Sequence, residues 1–170
     1  MRFRHFPLHP NTPDEGLTLQ ELFAGRNIDI PAAQRRMVGL MEQEGLPYGK
    51  RTHTFNSRLA QELAVWADTQ PGGSAIHDAL FRAYFVDGQN LASKAVLLSV
   101  VKRIGLSIED ATDVLADRKF RERVDADWAL SRQYQITGVP TFVADGRGVS
   151  GAQPYEVLEQ LVTAAGASPG

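Results

Sequence analysis

The chain contains no cysteine among its 170 residues. That excludes a disulfide, a thiolate metal site and a thiol nucleophile drawn from this sequence. It leaves the redox compartment open, because a cysteine-free protein survives in either. An excess of positive charge is lacking too: 18 Lys and Arg stand against 20 Asp and Glu, a formal net charge of −2. The densest basic spots, Arg35-Arg36 and the Arg2/Arg4 pair, are ordinary. Binding to nucleic acid, which rests on a basic excess along one face, is therefore not expected. Long apolar runs are missing as well. No window approaches the roughly 20 apolar residues of a membrane span, and Pro7, Pro10 and Pro13 break up the start where a signal peptide would lie. A soluble, cytoplasmic globular protein is the expectation. With 43% hydrophobic and 22% charged residues the chain can bury a sizeable core. Its length suits one domain, or one domain carrying a large insertion.

Along the chain, Arg2–Phe6 loosely alternates apolar and polar residues up to Pro7 and reads as a strand. Leu8–Gly16, with two prolines, Asn11 and Asp14, reads as a loop. A hundred residues of helical pattern follow. Thr18 caps a short helix stopped by Gly25, and Pro31 opens one that ends at Gly45. Asn56 or Ser57 starts a helix in which Leu59, Leu63 and Trp66 keep the i, i+4, i+7 rhythm, closed by Pro71-Gly72-Gly73. Ser74 and Ser107 are expected caps of later helices, with Val96–Ile104 between them, and Asp117 caps a helix carrying Phe120, Val124 and Trp128. At Ile136 the pattern changes. Thr141–Ala144 is a strand, Asp145–Gly148 a hairpin turn, Val149–Gly151 a short partner strand, and Pro154 opens a last helix.

The segment Gly138-Val139-Pro140-Thr141-Phe142, a hairpin, and Gly151-Ala152-Gln153-Pro154 opening a helix resembles the second half of a thioredoxin-like domain. Together with Phe6–Pro10, Asn56–Ala60, Phe81–Phe85 and Gly105-Leu106 in order, the chain resembles the DsbA-like oxidoreductases of the polyketide-associated dithiol–disulfide isomerase branch. Those are related to 2-hydroxychromene-2-carboxylate isomerases and kappa-class glutathione transferases. The resemblance implies an α/β, thioredoxin-like (DsbA-type) fold in which 1–16 and 132–166 form a partial thioredoxin-like domain. Residues 17–131 would be an all-helical insertion and 167–170 a frayed tail. It also implies that the chain starts at the family's second strand. A strand–helix unit of about 30 residues bearing Cys-x-x-Cys, or a serine in its place, is then expected ahead of Met1.

The resemblance places substrate binding at Val139, Pro140 and Thr141, with the Val139–Pro140 bond cis and the Val139 backbone pairing with an extended peptide. No catalytic residue, cofactor or metal site is expected within this chain. The implied partner is a thiol- or disulfide-containing peptide or protein, acted on by an oxidoreductase or isomerase. Two alternatives stand beside it: a glutathione-dependent isomerase or transferase, and a cysteine-free peptide-binding remnant. A homodimer is expected of a folded product, since two open sheets can cover each other's edges. The four histidines, His5, His9, His53 and His77, fall at no ligand spacing and are expected to be structural or solvent-facing. Glu122, Asp125 and Asp127 read as a solvated, charge-paired helix face, and Trp66 and Trp128 as core. Tyr84, Phe85 and Tyr155 are weaker candidates for a groove beside Pro140.

Overall fold

The structure, a computed structural model, describes residues 3–167. Met1, Arg2 and Ser168–Gly170, which hold the start of the expected first strand and most of the expected tail, lie outside the described residues. The chain divides into two compact units, His9–Val124 and Met1–Leu8 with Asp125–Gly170.

The first unit opens with β1 (Leu17–Thr18), α1 (Leu19–Leu22), α2 (Ile30–Gln43) and β2 (His53–Thr54). β1 and β2 pair antiparallel, Leu17 opposite Thr54 and Thr18 opposite His53. At two residues each they are too short to show alternation, and the sequence pattern does not predict them. Thr18 closes a capping box on α1: its hydroxyl accepts from the Glu21 N–H at 3.2 Å, and the Glu21 carboxylate accepts from the Thr18 N–H at 2.8 Å. Asp29 caps α2 through the Ala32 N–H at 2.9 Å, with Pro31 in the first turn.

Four helices then make the core: α3 (Arg58–Ala67), α4 (Ala75–Phe85), α5 (Lys94–Arg103) and α6 (Ile108–Asp117). Leu63, Ile76, Leu97, Val100 and Val101 are 0% exposed and pack with Trp66 and Leu115 in one cluster. Burying each such side chain stabilises the unit by about 1.5–3 kcal/mol. Gly73 sits so close to the end of α3 that a Cβ there would lie 1.7 Å from the Ala67 carbonyl oxygen, which is why this turn takes glycine. Ser107 caps α6 as expected, accepting from the Asp110 N–H at 3.1 Å. Ser74 stands before α4 but its side chain makes no cap bond. Asp117 is the last residue of α6 and caps nothing; Arg118 follows in the left-handed conformation, φ 53°.

Helix α7 (Arg121–Gln133) starts in this unit and ends in the other, where β3 (Thr141–Ala144), β4 (Arg147–Ser150) and α8 (Tyr155–Ala164) follow. β3 and β4 pair antiparallel with Thr141 opposite Ser150 and Ala144 opposite Arg147. The turn is two residues long, Asp145 at φ 48° and Gly146 at φ 72°, the doubly left-handed form that matches strand twist. Arg147 and Gly148, expected in the turn, therefore belong to β4. α8 packs on both strands. Phe3–Phe6 forms no strand: β3 pairs with β4 alone among the described residues, and Phe3–Phe6 does not join its other edge. A side chain holds the segment instead. Asp127, in α7, accepts from Arg4 Nη1 at 2.8 Å and from the His5 N–H at 3.1 Å. Asp127 is only 6% exposed, a correction to its reading as part of a solvated face, while Trp128 is half-buried.

Candidate functional site

The loop between α7 and β3 carries the residues singled out from the sequence. Gln135 turns the chain at φ 54°, and the Val139–Pro140 peptide bond is cis. Thr141 fixes the exit: its Oγ1 donates to the Gly138 carbonyl at 2.7 Å and lies 3.1 Å from Ser150 Oγ across the hairpin. The Pro140 carbonyl accepts from the Gly151 N–H at 2.8 Å, and Gln153 Nε2 donates to the Ser150 carbonyl at 2.5 Å. The loop, the end of β4 and the turn into α8 are thus tied together by hydrogen bonds. Val139 is the exception. Its side chain is 53% exposed, and its backbone N–H and C=O have no hydrogen-bond partner among the described residues. A backbone donor and acceptor left open beside an unpaired strand edge is suited to holding extended chain by strand addition.

The weaker aromatic candidates behave differently. Tyr84 lies edge-on to Phe85 at 4.7 Å, donates its hydroxyl to the His53 carbonyl at 3.2 Å and carries the Arg51 guanidinium 5.4 Å above its ring. It is engaged within its own unit. Tyr155 is 72% exposed at the start of α8.

A charged cluster in the helical unit is a feature the sequence reading missed. Glu62, 1% exposed, receives Arg58 Nε at 2.6 Å and a side-on Arg118 guanidinium, Nε at 2.6 Å and Nη2 at 2.7 Å. Burial alone would raise the pKa of this carboxyl. Hydrogen bonds from Arg118 and Arg58, with their charges, outweigh it and hold the pKa below 4.5. The signal was present: Leu59, Glu62, Leu63 and Trp66 follow i, i+3, i+4, i+7, so a carboxylate stands in the apolar stripe. Asp127, three residues after Val124, has the same signature. Asn56 brackets the 9–14 loop, donating to the Thr12 carbonyl at 2.8 Å and accepting from the Arg58 N–H at 2.9 Å. These arrangements position chain; none presents a nucleophile.

The histidines do not converge. His77 Nε2 lies 2.9 Å from Asp68 Oδ1, and the His53 ring stacks on Phe55 at 5.8 Å. His9 is half-buried, and burial, then the Arg51 and Arg26 guanidiniums, lower its pKa from 6.5. Among the described residues no three His, Asp or Glu side chains come together to hold a metal. No helix there is long and apolar enough to cross a membrane.

The chain matches the family of DsbA-like thioredoxin domains over residues 1–163. Among solved structures it is similar to a probable DsbA oxidoreductase from Streptomyces coelicolor, with 30% identity and a TM-score of 0.84 over 98% of this chain and 76% of that one. A 2-hydroxychromene-2-carboxylate isomerase shares the fold at 17% identity and TM-score 0.68, over 89% of this chain and 70% of that one. The cytosolic disulfide reductase DsbM from Pseudomonas aeruginosa, solved with GSH, shares it at 22% identity and TM-score 0.57, over 79% and 77%. No curated protein matches. The helix-rich fold with few short strands is the thioredoxin-like α/β class that the Gly-Val-Pro-Thr-Phe loop and the segments in order with it imply. On the match across 163 of its residues, the chain belongs to the DsbA-like thioredoxin domain family.

Proposed function

We propose that this chain presents an extended thiol- or disulfide-containing peptide for dithiol–disulfide exchange, holding it at Val139, Pro140 and Thr141. The open Val139 backbone beside the unpaired edge of β3 is the observation that carries this reading. Exchange needs a thiolate that attacks a disulfide sulfur to give a mixed disulfide, which a second thiol then resolves. With no cysteine in 170 residues, both thiols come from outside this sequence. The reading takes 1–16 and 132–166 as a partial thioredoxin-like domain around a helical insertion, 17–131, and the cytoplasm as the place of action.

The test is an NMR titration of the chain with a disulfide-containing peptide. Shifts confined to the Val139, Thr141 and Phe142 amides, abolished by Val139→Pro, support it; shifts elsewhere only, or none, overturn it. In the same preparation insulin reduction is expected to be nil, and turnover by the chain alone would refute an outside thiolate. Intact mass and N-terminal sequencing of the native protein separate the alternatives. A Cys-x-x-Cys supports disulfide exchange, whereas a serine with saturable glutathione binding supports the glutathione-linked enzyme. Sedimentation of the folded chain tests the expected homodimer.

A further inference from the structure

Helix α2 is unusual in this molecule: none of its 14 residues is buried. Pro31, Gln34, Arg35, Val38, Gly39 and Glu42 fall at i, i+3, i+4, i+7, i+8 and i+11, one face of the helix. That face forms one wall of an open groove of about 500 Å³. The other wall is Tyr48–Arg51.

The Tyr48–Arg51 wall is fixed. The Gly49 N–H donates to the Phe85 carbonyl at 2.8 Å, and a Cβ on Gly49 would lie 2.1 Å from the Val86 carbonyl oxygen, so the strip is laid directly on the end of α4. The Tyr48 ring stacks on Phe85 at 6.3 Å. Gln34 Nε2 donates to the Arg51 carbonyl and joins α2 to the strip.

Gly39 is the informative residue. Glycine inside a helix costs about 1 kcal/mol relative to alanine, and crowding does not require it here, because a Cβ at Gly39 would meet nothing within 4 Å. Gly39 lines the groove, so a large side chain there would project into it. Charge supplies the rest. Three cations, Arg35, Lys50 and Arg51, line the groove against one carboxylate, Glu42. Arg35 and Lys50 have no ion-pair partner among the described residues. The apolar lining is Pro31, Val38 and the Tyr48 ring.

We propose that the groove between α2 and Tyr48–Arg51 binds a small amphipathic anion, its charged head between Arg35 and Lys50 and its apolar body against Val38 and Tyr48. This site is independent of the Pro140 loop, and either can fail without the other.

The test titrates the folded chain with 2-naphthoate and with uncharged 2-naphthamide by calorimetry. One saturable site is expected for the carboxylate, with the amide roughly tenfold weaker, the scale of several exposed charge pairs acting together. Arg35→Gln with Lys50→Gln brings the carboxylate to the affinity of the amide. Gly39→Leu, which raises helix propensity while filling the groove, blocks both ligands with the circular dichroism unchanged. Equal affinity for the two ligands, no saturation, or undiminished binding by a folded Gly39→Leu protein would overturn the proposal.

Discussion

Arg118 grips Glu62 side-on, two guanidinium nitrogens on two carboxylate oxygens at 2.6 and 2.7 Å, from a backbone held at φ 53°. The left-handed conformation costs a side-chain-bearing residue about 1–2 kcal/mol, and the ion pair with a buried carboxylate offsets it. Arg118→Ala and Arg118→Gly both remove the pair, but only glycine relieves the backbone. Urea denaturation is expected to show both variants destabilised, with Gly the milder by about 1 kcal/mol. Glu62→Ala leaves Arg58 and Arg118 facing each other and should cost about 3 kcal/mol. Equal stability of the Ala and Gly variants would show that the backbone carries no strain at Arg118.

Acid should weaken the helical unit in two steps. The His9 pKa is lowered from 6.5, so the unfolded chain takes up the proton first. Stability is complete above pH 6.5 and falls as the pH drops toward the lower folded value. The Glu62 pKa is lowered from 4.5, so its contribution is present above 4.5 and is lost as the pH falls through the folded value beneath. Urea midpoints measured across a pH series check this: His9→Gln should flatten the upper step and Glu62→Gln the lower.

Helix α2 should open locally. With no buried residue, its amides are expected to exchange with deuterium well before those of α5, where Leu97, Val100 and Val101 are 0% exposed. Gly39→Ala should slow that exchange by roughly fivefold, the effect of about 1 kcal/mol of helix propensity, without moving the global urea midpoint.

Asp127 should act as the anchor of residues 4 and 5. Asp127→Ala removes two hydrogen bonds to a charged acceptor, each contributing about 1.5–3 kcal/mol. Arg4 is exposed enough to turn to water, so the loss should fall at the low end. Faster exchange of the His5 amide and earlier proteolysis near Phe6 are the readouts, and an unchanged His5 amide would refute the anchor.

What could be read from the sequence was local. Pro31 and Gly45 bracket α2, Ser107 caps α6, Thr141–Ala144 is β3, and Pro154 opens α8, because each signal lies within a few residues of its effect. The misses were long-range or very short. Asp117 read as the cap of the next helix, yet α6 runs through it to the left-handed Arg118, whose guanidinium pairs with Glu62, 56 residues earlier. Phe3–Phe6 alternates like a strand, yet a ladder needs a neighbour that local pattern cannot supply. Of the candidate site, the Gly-Val-Pro-Thr-Phe loop was legible from its resemblance. The groove on α2 was not, since it forms only when Tyr48–Arg51 returns beside the helix.

The separation of Arg4 from Asp127 by 123 residues also orders events during synthesis. At ribosomal rates, the anchor for the first segment is added roughly 6 to 25 s after that segment itself. The hydrophobic cluster of the helical unit, drawn from Ala60 to Leu115, is by then fully synthesised. The start of the chain therefore passes that interval without its carboxylate, and the anchor can close only after translation has gone beyond Asp127.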